Sequence, residues 1–194
     1  VRSRGLGDVY KRQVVVREVR CKTALSRSRI YGMDYSLNPY LGCQHGCVYC
    51  FARFMTRHSH HGGEWGSFVD VKTNILQQLA SELPRKPKGL VLLSSVTDPY
   101  QPLEERYELT RGALNLLARY GFPTTLLTKS DLVVRDIDLI KRLQDCEVGL
   151  TITTLDEDVK KAFEPLATPV EDRLDALRLL SGEGVETYAF LGPM

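Results

Sequence analysis

The stretch Asn38-Pro-Tyr-Leu-Gly-Cys43-Gln-His-Gly-Cys47-Val-Tyr-Cys50-Phe-Ala-Arg53 decides how the rest of this chain is read. It holds three of the five cysteines in the spacing C-x3-C-x2-C, with a glycine directly before two of them. Thiolates are soft ligands suited to zinc or to iron–sulfur clusters. Three in so short a loop reach three corners of one cluster, because the intervening residues let the backbone curl around it. No obvious fourth ligand accompanies them. Electron-transfer clusters and structural zinc sites are ordinarily closed by four ligands, so three thiolates describe a site with one open metal position. A second reading stays open at this point: a zinc-stabilised Cys3His binding module without catalysis, in which His45, or else Cys21, completes the site.

Cys43, Cys47 and Cys50, with the aromatic Tyr49 just before the last, resemble the signature of radical S-adenosylmethionine (SAM) enzymes. The wider string, with its Asn-Pro-Tyr lead-in, Gly42, His45 and the trailing Ala52-Arg53, is similar to the spore photoproduct lyase-like branch of that superfamily. The resemblance covers Leu25 to Met194. It implies a partial parallel (β/α)6-type barrel, and a 4Fe-4S cluster whose fourth iron is chelated by the amino and carboxylate groups of SAM. It further implies an electron donor such as flavodoxin or ferredoxin, whose electron cleaves SAM to methionine and a 5′-deoxyadenosyl radical that abstracts hydrogen from substrate. The chain departs from true spore photoproduct lyase in two places. Leu92-Leu-Ser-Ser95 stands where that enzyme has a cysteine hydrogen donor, and Phe51 stands where it has a tyrosine. No thiol–phenol radical relay is assigned here, and the substrate is left open.

With 194 residues the chain is long enough for one domain with a sizeable core. Its 43% hydrophobic and 26% charged content are ordinary for a globular protein. No apolar run approaches the roughly 20 residues of a membrane span, so no membrane partner is expected. Three of the five cysteines are claimed as ligands, which excludes a disulfide framework and points to a reducing cytoplasm. Residues 1–13 have no hydrophobic period and read as non-native adapter sequence or a disordered arm. They carry four basic residues against one acidic, and without them the formal charge falls from +2 to −1. DNA is therefore a substrate the resemblance allows and the charge does not support.

Residues 14–37 read as a lead-in and 38–194 as the core domain. Val14 to Val19 is a β-branched run fit for a strand. Cys21 reads as a lone thiol, and Arg57 to Glu64, with three of the four histidines, as a solvated loop. Val71, Ile75, Leu79 and Leu83 recur every four residues and predict a helix stopped by Pro84. Leu90–Leu93, Thr124–Thr128, Val148–Thr153 and Val185–Leu191 read as strands, as does the segment just before Cys43. Helices are expected over Glu104–Tyr120 with Gly121 as its stop, around Ile137 to Leu143, and between Asp156 and Pro165. A final helix is predicted from a capping box at Thr168-Pro169-Val-Glu171 to Gly182. Alternating strands and helices imply a parallel sheet. Five barrel strands against the six that the resemblance implies leave the last strand and helix missing, as in a fragment.

Ligands of parallel α/β folds bind at the C-terminal ends of the strands. Three such ends, Ser94–Asp98, Thr128–Ser130 and Thr151–Thr154, are rich in small polar groups. Lys129 is the expected partner of the SAM carboxylate. Ser95, Thr97 and Asp98 occupy the region where the resemblance places the SAM amino group, and Tyr49 is expected near adenine. Thr151 and Thr153 are expected on one side of their strand, facing ribose or carboxylate. Arg173 reads either as a surface helix charge or as a SAM contact.

Overall fold

The computed structural model of the chain describes residues 14–58 and 63–192. The expectation for residues 1–13 therefore falls outside the described residues, as do two of the histidines of the 57–64 stretch. In chain order the elements begin with β1 (Val15–Val19), β2 (Leu25–Arg27), β3 (Tyr35–Leu37), β4 (Tyr40–Leu41) and β5 (Phe68–Lys72). There follow α1 (Ile75–Glu82), β6 (Val91–Leu93), α2 (Glu104–Tyr107), α3 (Leu109–Tyr120), β7 (Thr124–Thr128) and α4 (Ile137–Ile140). The chain continues through β8 (Cys146–Thr151), α5 (Glu157–Phe163), α6 (Val170–Gly182) and β9 (Glu186–Phe190).

The main sheet has the order β2-β3-β6-β7-β8-β9, with β2 antiparallel to β3 and every other pair parallel. The five expected barrel strands are thus consecutive neighbours, and the sheet is open, as a partial barrel requires. A second sheet, β1-β5-β4, was not legible as such: β1 was expected as a strand, and the segment just before Cys43 divides into β3 of the main sheet and β4 of this one. One core joins strand residues such as Leu93, Leu126 and Val148 to helix residues such as Leu79, Leu114 and Leu180. Among the described residues no helix is long and apolar enough to cross a membrane.

Four boundaries differ from the sequence reading, each for a local reason. Val71 keeps the four-residue spacing of α1 but belongs to β5, because Asn74 intervenes. Its side chain accepts from Cys21 N at 2.8 Å and donates to Cys21 O at 2.9 Å, pinning the strand end before the helix starts. The expected helix Glu104–Tyr120 is broken into α2 and α3 at Glu108, whose φ is 48°. The buried Glu104 carboxylate folds back to accept from Thr110 N and Arg111 N, capping the second piece. The capping box at Thr168 does not form. The Thr168 hydroxyl donates to Asp131 at 3.0 Å, and Val170 N is served by Glu157 instead. Finally, Phe51–His58 is a 3-10 helix, so the stretch read as a loop from Arg57 begins inside it. Gly121 ends α3 with φ 61°, as expected.

Candidate functional site

The cysteine loop leaves β3 and is stapled on both sides by the non-cysteine residues of its own motif. Asn38 Oδ1 accepts from Ser95 N at 2.9 Å and Val96 N at 3.2 Å, while its Nδ2 donates to Ser95 Oγ at 3.1 Å. Tyr40 is fully buried, and its hydroxyl bonds the Glu104 carboxylate. Gly42 has φ 92°, and a Cβ there would stand 2.4 Å from Phe68 O, so only glycine lets the loop pass this close to β5. Gly42 O accepts from Thr97 Oγ1 at 2.6 Å. Gln44 and Gln101 complete the seam: Gln44 N donates to Gln101 Oε1 at 3.0 Å, and Leu103 N to Gln44 Oε1 at 2.7 Å. The loop is held against the segment that follows β6, at the C-terminal end of the parallel strands.

Here lies a cavity of about 400 Å³, lined by Cys43, Cys47 and Cys50 from the loop. Tyr49, Ser95, Thr97, Asp98, Lys129 and Thr151 also line it, so the structure brings together every expected site residue but one. Thr153 is the exception. The strand ends at Thr151, two residues earlier than expected, so the alternation of a strand does not carry to Thr153 and it does not line the cavity. Ser94 and His45 line it too, Ser94 from a strand end expected to face the ligand and His45 from the cysteine motif, while Trp65 and Phe190 were missed.

Burial dominates the electrostatics of the three thiols. Cys43 and Cys47 are buried and Cys50 half-buried. Desolvation pushes all three thiols up, Cys47 to about 12, with the Lys129 charge offsetting part of the effect at Cys47 and Cys50. Metal binding at this loop therefore has to release protons. Asp98 goes the other way. Burial alone would raise it, but His45 and hydrogen bonds from Thr128 and the Tyr100 amide bring it down to about 2. Its carboxylate accepts from Thr128 Oγ1 at 2.6 Å, Lys129 N at 2.8 Å and Tyr100 N at 2.9 Å, with His45 Nδ1 at 3.3 Å. So Asp98 is a saturated brace joining the β6 and β7 ends.

Several groups at the cavity are left with capacity, the buried Trp65 Nε1 among them. The hydroxyls of Ser94 and Thr151 are buried without a hydrogen-bond partner, and the half-buried Lys129 has no carboxylate partner among the described residues. Ser94 also has φ 70°, an unfavourable conformation for a residue with a side chain. Buried polar atoms are normally satisfied, so these orphans mark where a polar ligand fits. Lys129 Nζ lies 5.8 Å from the centre of the Tyr49 ring, and the Tyr49 hydroxyl bonds Glu164. Arg173 matches neither of its two readings. It is fully buried against Glu164 at 2.7 Å and does not line the cavity.

The zinc reading requires His45 or Cys21 to join the thiols around one ion. Cys21 packs against the main core beside Asn74, and His45 turns Nδ1 to Asp98. Among the described residues, no three His, Cys, Asp or Glu side chains converge on a point fit for a single metal ion.

Comparison with known proteins agrees with this geometry. The chain is 38% identical over 182 residues to an uncharacterized protein of Methanocaldococcus jannaschii, covering 94% of this chain and 68% of that one. Its fold matches spore photoproduct lyase complexed with dinucleoside spore photoproduct at a TM-score of 0.72 and 17% identity, covering 99% of this chain and 57% of that one. A double mutant of the same lyase, with bound AdoMet and the dinucleoside, matches at a TM-score of 0.71 and 16% identity over the same shares. The family model that matches is that of the radical SAM superfamily, over residues 37–193, which takes in the cysteine loop and every strand end that lines the cavity. With loop, parallel sheet and family model in agreement, the chain belongs to the radical SAM superfamily.

Proposed function

We propose that Cys43, Cys47 and Cys50 hold a 4Fe-4S cluster, and that the cavity beside them binds S-adenosylmethionine. One observation carries this: three thiols, two orphaned buried hydroxyls and a lysine with no carboxylate partner among the described residues line a single cavity at the C-terminal ends of parallel strands. Soft thiolate donors in one loop suit an iron–sulfur cluster. When bound, the cluster and SAM together supply a one-electron cleavage of the sulfonium that yields a 5′-deoxyadenosyl radical for hydrogen abstraction.

The chain's own residues bind, orient and exclude water. Lys129 offers its ammonium to the SAM carboxylate. Ser94 and Thr151 offer hydroxyls to the amino acid or ribose, and Tyr49 gives an aromatic face to adenine. Ser95, Thr97 and Asp98 act one step back. Their side chains are committed to Asn38, Gly42 and the β7 end, so they hold the wall in place rather than reach the ligand. Thr153 does not line the cavity and takes no part in this arrangement. Phe51 and Phe190, 72% and 47% exposed, stand at the cavity and form an apolar entrance for the substrate. A one-electron donor of the flavodoxin or ferredoxin kind is required.

Anaerobic reconstitution with iron and sulfide tests the reading. A brown protein that converts SAM to methionine and 5′-deoxyadenosine under a strong reductant is expected; a colourless protein holding one zinc would overturn it. Within that assay Lys129→Ala is expected to keep its iron and to bind SAM more weakly by roughly 1.5–3 kcal/mol, the worth of a hydrogen bond to a charged group. Equilibrium dialysis with labelled SAM reads this directly, and an unchanged affinity would remove Lys129 from the site.

A further inference from the structure

Glu164 sits at the C-terminal end of α5, fully buried, where an uncompensated carboxylate would be costly. It accepts from the Tyr49 hydroxyl through Oε1, and its Oε2 lies 2.7 Å from Nη1 of Arg173, which is fully buried on α6. Arg173 passes the connection on. Nη1 donates to Thr151 O at 2.9 Å, and Nε donates to Thr168 O at 2.8 Å. Thr168 N donates in turn to Lys129 O at 3.2 Å, while Val48 N donates to Phe163 O at 3.0 Å. Tyr49, Lys129 and Thr151 stand on three different walls of the cavity, and all three are tied to this one ion pair.

Nothing about this arrangement is needed merely to join α5 to α6. Apolar side chains pack helices without the desolvation cost of two buried charges. What the pair adds is direction. A carboxylate aimed at one phenol and a guanidinium aimed at two carbonyls fix three segments relative to one another. We infer that Glu164, held by Arg173, is a positioning residue for the cavity: it fixes the Tyr49 ring and, through the main chain at Lys129 and Thr151, sets the spacing of the three walls. That these walls close on SAM rests on the function proposed above; that they are fixed by the pair does not.

Two variants test this, each read in two ways. Glu164→Gln keeps the shape but loses the charge that faces Arg173. Tyr49→Phe keeps the ring and the ion pair but loses the hydroxyl, so it remains informative where the first variant folds poorly. In the metal-free protein, amide hydrogen exchange across residues 43–53 is expected to quicken by about tenfold or more in both, while β6 and β7 keep wild-type protection. In the reconstituted protein each variant is expected to raise the SAM dissociation constant about tenfold, with the double variant no worse than the weaker single. A lowered melting temperature with unchanged exchange over residues 43–53, or additive effects on SAM affinity, would reduce the pair to a structural bolt and overturn the inference. If the wild-type protein bound no SAM at all, the proposed function would fail, and the exchange measurement would still decide the positioning role.

Discussion

Replacing Cys47 by alanine is expected to leave a folded protein that takes up no stable iron–sulfur cluster and makes no detectable 5′-deoxyadenosine. Cys47 is buried on the cavity wall, and its thiol is pushed up to about 12 by burial. The thiol form is therefore the resting state of the metal-free protein, and truncating it removes no charge from the fold. The stability cost is that of a small buried truncation, about 1 kcal/mol. The functional cost is of another order. In the proposed cluster three protein thiolates would serve three irons and leave the fourth to SAM, so losing one would leave two irons without a protein ligand. Iron and sulfide analysis, with chromatography of the SAM products, separates the two costs. A variant with full iron content and undiminished 5′-deoxyadenosine would remove Cys47 from the ligand set.

The second large effect belongs to a residue with no side chain. Gly42→Ala places a Cβ at φ 92° and 2.4 Å from the main-chain oxygen of Phe68. A flexible side chain would move aside; a strand carbonyl in β5 cannot do so without opening the pairing of β5 with β1 and β4. The backbone conformation alone costs about 1–3 kcal/mol, and the clash brings the expected loss to roughly 3 kcal/mol or more. For a chain of this size that lowers the melting temperature by roughly 6–12 °C. The damage should extend to the cluster, because Gly42 O is the acceptor for Thr97 and Gln101 that seats the loop. A thermal melt reads the first effect and iron loading the second. A variant that melts with the wild type would show that the loop does not run this close to β5.

The large features were legible because their physics is local. Three thiols in eight residues, apolar runs that end in small polar groups, and Gly121 after a periodic stretch all declare themselves within one window of sequence. What failed to show depends on distant partners. Val71 falls on the period of α1 by coincidence, and only the bond between Asn74 and Cys21, 53 residues apart, ends the strand there. Arg173 carries a charge on a helix and so reads as surface. Its burial is created by Glu164, whose own setting is created by Tyr49, 115 residues away. His45 reads as a candidate zinc ligand beside three cysteines; its contact with Asp98 of the next crossover, Nδ1 to carboxylate at 3.3 Å, lies outside any local window of sequence. Asn38 and Gln44 marked a resemblance in the sequence; only the structure shows that they are fasteners for the loop after β6.

Ser94 bears on how this protein can be improved or spoiled. It holds a left-handed backbone at the end of β6, with its hydroxyl unspent beside the three cysteines. Glycine would hold the same bend at lower conformational cost, by about 1 kcal/mol or more. A stability-only selection would therefore drift toward glycine at this position and discard the hydroxyl without registering its loss. Thermal robustness and ligand recognition pull in opposite directions at this residue, and a variant library screened by melting temperature alone would be blind to the trade.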